Sequence, residues 1–350
     1  MIRRNTKTVN VGKLKIGGET PVTIQSMLNT KNGDIKAAVG QTIALKEAGC
    51  DIVRLAVTDE ESIKVVKALK KEIDIPLVAD IQFDYKIAIK SIENGIDKVR
   101  LNPGNIGDER RVKEVIAAAK ERNIPIRVGV NSGSVSLDIA KEYGRYSAEG
   151  LVYEATRHIE ILEKNNFNDI VISLKASDVE TMIKAYRLMS QKCDYPLHLG
   201  VTEAGTAYSG TVKSAIGIGA LLADGIGDTI RVSLTDNPVE EIRAAKEILK
   251  ALDLREGEPK LISCPTCSRC SINLINIASQ VEKRLSLIKK PITVAVMGCV
   301  VNGPGEASNA DIGITGANGE GLIFKDGKII KKVKEENIVD ELFEEIDKIF

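Results

Sequence analysis

Eight short apolar runs recur through the first three quarters of this chain, at 22–27, 51–57, 76–81, 98–102, 125–131, 169–175, 196–202 and 228–235. Between them lie segments of helical period, among them 35–48, 60–72, 109–121, 149–164, 179–191 and 239–252, with apolar residues near i, i+3, i+4 and i+7. Runs of this length suit strands, and strands separated by helices pair in parallel because each crossover carries the chain back over the sheet. Eight such units predict an α/β fold, an N-terminal (β/α)8 TIM barrel, since eight regular units close a barrel without remainder. A doubly wound open sheet is the alternative. The repeat is one of secondary structure only, for no sequence self-similarity accompanies it.

Several strands carry polar residues that a plain barrel does not need. Side chains two apart share a strand face, so Asp80 pairs with Gln82, Arg100 with Asn102, Arg127 with Asn131, Ser173 with Lys175, His198 with Thr202, and Arg231 with Ser233. Each pair is expected toward the C-terminal end of its strand, where barrel enzymes build their sites, and Arg54 on the second strand joins them. Cations gathered at one mouth are costly to desolvate without anions to meet them, and arginine suits bidentate phosphate contact. The pattern predicts a small, strongly anionic substrate. The bland alternative puts some of these cations on outer faces, paired with helix carboxylates, though their shared parity speaks against it for all of them. The segment from Glu203 to Ser214, Glu-Ala-Gly-Thr-Ala-Tyr-Ser-Gly-Thr-Val-Lys-Ser, adds hydroxyls and free N–H groups at a helix start, with Lys213 just inside. Phosphates bind such ends.

Other classes are disfavoured. Acidic and basic residues balance at 49 each, so no net field draws the chain to nucleic acid or an anionic membrane. Aromatics are 3% with no Trp, which removes stacking platforms for single strands. No apolar stretch of about 18 residues occurs, and a cytoplasmic protein is expected. Of the two histidines, His158 falls in a helical segment and reads as a packing or surface residue. His198 is expected at the mouth, able to donate a proton or a hydrogen bond near the ordinary histidine pKa.

The grammar changes after a polar stretch at 255–260, giving a barrel domain at 1–255 and a small α+β domain at 256–350. The second shows a helix at 271–289, strands near 292–297, 311–315, 321–325 and 328–332, and a closing helix at 336–349. Four of the six cysteines lie here, in Cys264-Pro-Thr-Cys267-Ser-Arg-Cys270 and in Gly298-Cys299-Val-Val-Asn302-Gly-Pro-Gly-Glu306. Cys50 and Cys193 stand apart as packing residues. Where thiols stay reduced, clustered cysteines bind metal more readily than they form disulfides. Four thiolates suit either zinc or an iron–sulfur cluster; Glu306 favours iron, because a carboxylate is the weaker ligand and can leave when a substrate oxygen arrives. A non-catalytic electron carrier or a zinc-stabilised scaffold is the rival reading.

These motifs, with Val99-Arg-Leu-Asn102-Pro-Gly-Asn105, Arg127-Val-Gly-Val-Asn131-Ser-Gly-Ser, His198-Leu-Gly-Val-Thr-Glu203-Ala-Gly and Thr211-Val-Lys213-Ser214, resemble the 4-hydroxy-3-methylbut-2-en-1-yl diphosphate synthase family over nearly the whole chain. The resemblance implies a [4Fe-4S] cluster on Cys264, Cys267, Cys299 and Glu306, with Cys270 a departure and a spectator. It implies two-electron reductive ring opening of 2-C-methyl-D-erythritol 2,4-cyclodiphosphate, fed by ferredoxin or flavodoxin. Arg54, Asp80, Arg100, Asn102, Arg127, Asn131, Ser173, Lys175, Lys213, Ser214, Arg231 and Ser233 would hold the substrate, and Glu306, Glu203 or His198 would supply the proton. Family members are homodimers in which one subunit's cluster domain covers the other's barrel.

Overall fold

The computed structural model describes residues 2–144, 146–255, 257–300, 309–317 and 319–350. The chain divides between Leu254 and Arg255 into two compact units.

The first unit is the eight-stranded parallel barrel. Its strands are β3 (Thr23–Met27), β4 (Ile52–Ala56), β5 (Leu77–Asp80), β6 (Lys98–Leu101), β7 (Ile126–Asn131), β8 (Ile170–Lys175), β9 (His198–Leu199) and β10 (Thr229–Ile230). Neighbours pair in sequence order from β3 to β8, β10 lies between β9 and β3, and a parallel bridge from Ile172 to Leu197 joins β8 to β9. Helices follow the strands, and short polar side chains start many of them. Asp59 and Ser62 form a reciprocal capping box, while Asp34, Asp108, Ser147, Asp178 and Asn237 each accept a first-turn N–H. Such caps are worth about 1 kcal/mol each.

The outward face of the wall is apolar. Val53, Leu55, Leu77, Ala79, Val99, Leu101, Val128 and Ile172 pack with Ile63, Val66, Leu69, Ile116 and Leu162 from the helices in one continuous core. The inward face is apolar at its base, where Ile52 and Val78 pack with Val11 and Ile16. Those last two belong to an antiparallel hairpin, β1 (Val9–Val11) and β2 (Leu14–Ile16), which turns at Gly12 with φ 58°. The eight-run reading did not include this hairpin, although its alternation of apolar and polar residues is the usual sign of one.

The second unit carries a five-stranded sheet in the order β11 (Lys260–Ser263), β12 (Thr293–Met297), β13 (Ile312–Ala317), β14 (Glu320–Lys325) and β15 (Lys328–Lys334). The first three strands are parallel and the rest antiparallel. Helices Leu274–Leu285 and Ile338–Asp347 bury Ile277, Val281, Leu342 and Ile346 with Val294 and Ile314. Strand β11 occupies sequence read as part of the linker and the loop after it, and the first helix starts at Leu274 under an Asn273 cap rather than at 271.

Among the described residues, no helix is long and apolar enough to cross a membrane.

Candidate functional site

Strand register brings the polar residues onto one face. Asp80, Arg100 and Arg127 stand opposite one another across β5, β6 and β7; Asn131 stands opposite Lys175, and His198 opposite Thr229. Two residues before Asp80 is Val78, opposite both Arg54 and Lys98. The inside of the barrel is thus a charged layer above an apolar floor, and the outer-face alternative for these cations is set aside.

Asp80, 4% exposed, is the hub. Arg54 Nη2 donates to its Oδ2 at 2.6 Å and Arg100 Nη1 to its Oδ1 at 3.2 Å. Burial alone would raise its pKa, yet the charges of Arg54 and Arg100 together hold it below the usual carboxylate range. Arg100 also donates to the Gly129 carbonyl at 3.4 Å, and a Cβ on Gly129 would sit 2.7 Å from Arg100 Nε, so only glycine admits this guanidinium. On the other side Arg231 lies 3.5 Å from Glu241, which also accepts from Ser26 Oγ at 2.8 Å and from the Leu234 amide at 3.1 Å.

Three groups go deeper. Arg127 is 1% exposed, and its Nε and Nη2 have no partner among the described residues; neither do Lys98 Nζ and His198 Nε2, both wholly buried. Burial first, then the neighbouring Arg54 and Arg100, disfavour the Arg127 cation. Burial, with Arg127 and Arg54, pushes Lys98 well below the usual lysine range; burial, with Arg231 and Arg127, does the same to Lys175. His198 is pushed well below ordinary histidine by burial and by Arg127 and Lys175. His198 opens its strand instead of ending it and is wholly buried inside the barrel, a setting that disfavours its protonated form. Arg127, second in its strand, likewise lies deep. The inward cations outnumber the carboxylates Asp80 and Glu241, and such an excess costs the fold free energy unless an anion meets it.

The remaining expected residues scatter around this layer. Asn102 and Ser173 are buried, Asn131 and Ser233 half-buried, and Gln82 exposed. Glu203 is exposed in the loop after β9, with a left-handed φ of 53°. Thr206 heads the helix Ala207–Ala223 without a side-chain cap bond. Lys213 is exposed on that helix and Ser214 wholly buried, so these consecutive residues do not serve one open surface. His158 is a packing residue, its Nε2 3.0 Å from Glu154. Sequence reading missed Lys98 and also Gln25, whose wholly buried amide stands opposite Ile52 with no partner among the described residues, although Lys98 shares parity with Arg100 and Gln25 lies in the first run. It also missed Glu241, which sits on a helix whose spacing marks only buried positions.

In the second unit, Cys264 follows β11 and Cys299 closely follows β12, two neighbouring parallel strands in register. Both thiols therefore leave the same edge of the sheet. The Gly298 amide donates to Cys264 Sγ at 3.2 Å. Cys267 is exposed, and all four thiols are free. Cys270 turns inward: its Sγ donates to the Ile272 carbonyl at 3.2 Å, and a Cβ on Gly298 would lie 2.8 Å from it. Asn302 and Glu306 fall outside the described residues, among which no three metal-ligating side chains form a group. Soft donors at one strand edge, one already hydrogen-bonded as an acceptor, fit a thiophilic metal group.

Fold and site together define a TIM-barrel protein with a cationic interior, followed by a small thiol-bearing α+β unit. Comparison with known proteins carries this to the family: residues 6–246 match the GcpE TIM-barrel domain and residues 260–348 the GcpE protein C-terminal domain. The chain belongs to the GcpE family. It is 59% identical over 349 residues to the 4-hydroxy-3-methylbut-2-en-1-yl diphosphate synthase (flavodoxin) of Clostridium perfringens, covering 100% of both chains. With the synthase of that name from Caldanaerobacter subterraneus it shares 58% over 348 residues, 99% of this chain and 98% of the other. The barrel alone resembles dihydropteroate synthase from Stenotrophomonas maltophilia, with a TM-score of 0.52, 14% identity and coverage of 71% and 98%, a likeness of fold only.

Proposed function

We propose that this GcpE-family oxidoreductase converts 2-C-methyl-D-erythritol 2,4-cyclodiphosphate to (E)-4-hydroxy-3-methylbut-2-enyl diphosphate in isoprenoid precursor biosynthesis. The observation that carries the reading in this chain is the excess of buried cations inside the barrel, together with relatives of that activity matched end to end. Two electrons and a proton enter, the ring C–O bond breaks, and a hydroxyl leaves as water.

Arg54 and Arg100, aimed by Asp80, and Arg231, aimed by Glu241, would grip the diphosphate oxygens, with Lys175 and Lys213 as further cations and Asn102, Asn131, Ser173 and Ser233 as hydrogen-bonding groups. Arg127, opposite Arg100, would add its Nε and Nη2, unpartnered among the described residues, to the same anion from deeper in the barrel. Because these groups are already fixed by strand register, they would stabilise the charge released on the phosphate oxygen as the C–O bond breaks without reorganising. Cys264, Cys267 and Cys299 would hold a [4Fe-4S] cluster, with Glu306 as the fourth ligand. When bound, such a cluster supplies one-electron reduction and a Lewis-acidic iron. Glu203, Glu306 and His198 are the candidates for the proton; burial disfavours the His198 cation, which suits that side chain better to hydrogen bonding. Flavodoxin or ferredoxin would be the donor, and a cytoplasmic homodimer completes the proposal.

Anaerobically purified protein should hold iron and sulfide in equal amounts and turn over the cyclic diphosphate with a chemical reductant. A colourless protein holding a single zinc and inert to the cyclic diphosphate would refute the reading.

A further inference from the structure

The wall of the barrel is interrupted at one rung. Between β8 and β9 the Ile172 amide donates to the Pro196 carbonyl at 2.9 Å, and beyond the strand ends the Thr202 amide donates to the Ala176 carbonyl at 3.2 Å. A regular parallel ladder would place a bond from the Leu174 amide to the His198 carbonyl between these two. Here the Leu174 amide donates instead to the Tyr186 hydroxyl at 3.0 Å, and that hydroxyl donates to the His198 carbonyl. Tyr186 comes from the outer helix Val179–Lys192 and is wholly buried. Its oxygen is spliced into the sheet as an extra link, so the two strands stand further apart at this rung than a direct bond would hold them.

The residues beside the splice belong to the charged layer. Ser173 and Lys175 flank Leu174 and point inward; His198 is the residue whose carbonyl is taken. Lys175 uses the space alongside: a Cβ on Gly200 would lie 3.1 Å from Lys175 Nζ and 2.6 Å from the Arg231 carbonyl. The ammonium therefore rests against bare backbone just past β9, across the widened seam. Burial pushes the phenol up to about 12, so it remains a hydroxyl that can accept and donate at once.

We infer that Tyr186 is a positioning residue, whose hydroxyl holds the seam between β8 and β9 open and thereby places Lys175 for the substrate's anionic groups. The inference rests on the reading that Lys175 contacts the cyclic diphosphate. Phenylalanine at 186 keeps the ring packing but removes the link, so the strands either close onto a direct bond or leave two buried groups unpaired, and in both cases Lys175 moves. A merely structural tyrosine would act on stability and leave affinity alone.

The test is a calorimetric titration of the cyclic diphosphate into oxidised, anaerobically purified holoprotein, without reductant, so that binding is read without turnover. Tyr186→Phe should weaken binding about tenfold, roughly 1.4 kcal/mol. In a Lys175→Met background the same change should cost less than about twofold, since groups acting through one contact are not additive. Met182→Ala, which opens a cavity in the same helix, serves as a stability control and should lower the melting temperature with affinity unchanged. Binding by Tyr186→Phe within about twofold of wild type overturns the inference, as does a tenfold loss that is equal in both backgrounds or matched by Met182→Ala. If Lys175→Met binds as wild type does, it is the underlying substrate reading that fails, and the inference with it.

Discussion

The two faces of the barrel wall are made by the same eight strands and do opposite things. The outer face is continuous hydrocarbon, packed against helices, and holds the fold together. The inner face is apolar at its hairpin-sealed base; above that it holds buried cations, some with no partner among the described residues. Burying apolar surface contributes about 25 cal/mol per Å², whereas an uncompensated buried charge costs several kcal/mol. The outer face must therefore carry a surplus that the inner face consumes. The difference separates residues kept for folding from residues kept for a ligand.

The comparison can be broken at several points. Asp80→Asn removes the carboxylate between Arg54 and Arg100 and should cost about 3–5 kcal/mol in denaturant unfolding, because two buried guanidiniums lose their counterion. A loss below about 1 kcal/mol would mean that water reaches them. On the outer face, Leu77→Ala should cost about 2–5 kcal/mol through cavity formation while leaving affinity for the cyclic diphosphate intact; weaker binding at full folding would show that the two faces are not separable.

Lys98→Met should do the reverse of both. It removes an unpartnered buried cation, so the free protein should gain about 1–2 kcal/mol. Its pH signature has a fixed sign. The folded pKa of Lys98 lies well below 10.5, so between the folded and unfolded values the unfolded chain binds more protons. The penalty is fully present below the folded pKa and is relieved as pH rises toward 10.5. Wild-type stability should rise relative to Lys98→Met across that window, by at most about 1.4 kcal/mol per pH unit. Parallel stability curves for the two proteins would refute a buried, charge-starved amine. The smallest effect belongs to the second unit: Cys270→Ser should retain its iron, measured against sulfide, whereas Cys264→Ser should lose it.

The barrel was legible because alternation of period 2 and period 3.6 survives in a single sequence, and parity picked out Arg54, Asp80, Arg100 and Lys175 as companions on one face. Depth was not legible. The stagger of a closed barrel shifts each strand along its neighbour, so Arg127 and His198 share the face but sit inside it, below the mouth. Lys98 was readable by the same parity and passed over within an apolar run. Tyr186 and Glu241 could not be found that way, since a helical stripe marks what is buried and says nothing about where a hydroxyl or carboxylate ends.

Arg127→Met puts the central claim to its most direct trial, because this guanidinium is almost wholly buried, partly unpartnered and at the heart of the charged layer. Melting and calorimetric titration with the cyclic diphosphate, performed on the same preparation, should show a protein at least as stable as wild type that has lost most of its affinity. A variant that melts several degrees lower and still binds with wild-type affinity would contradict the account.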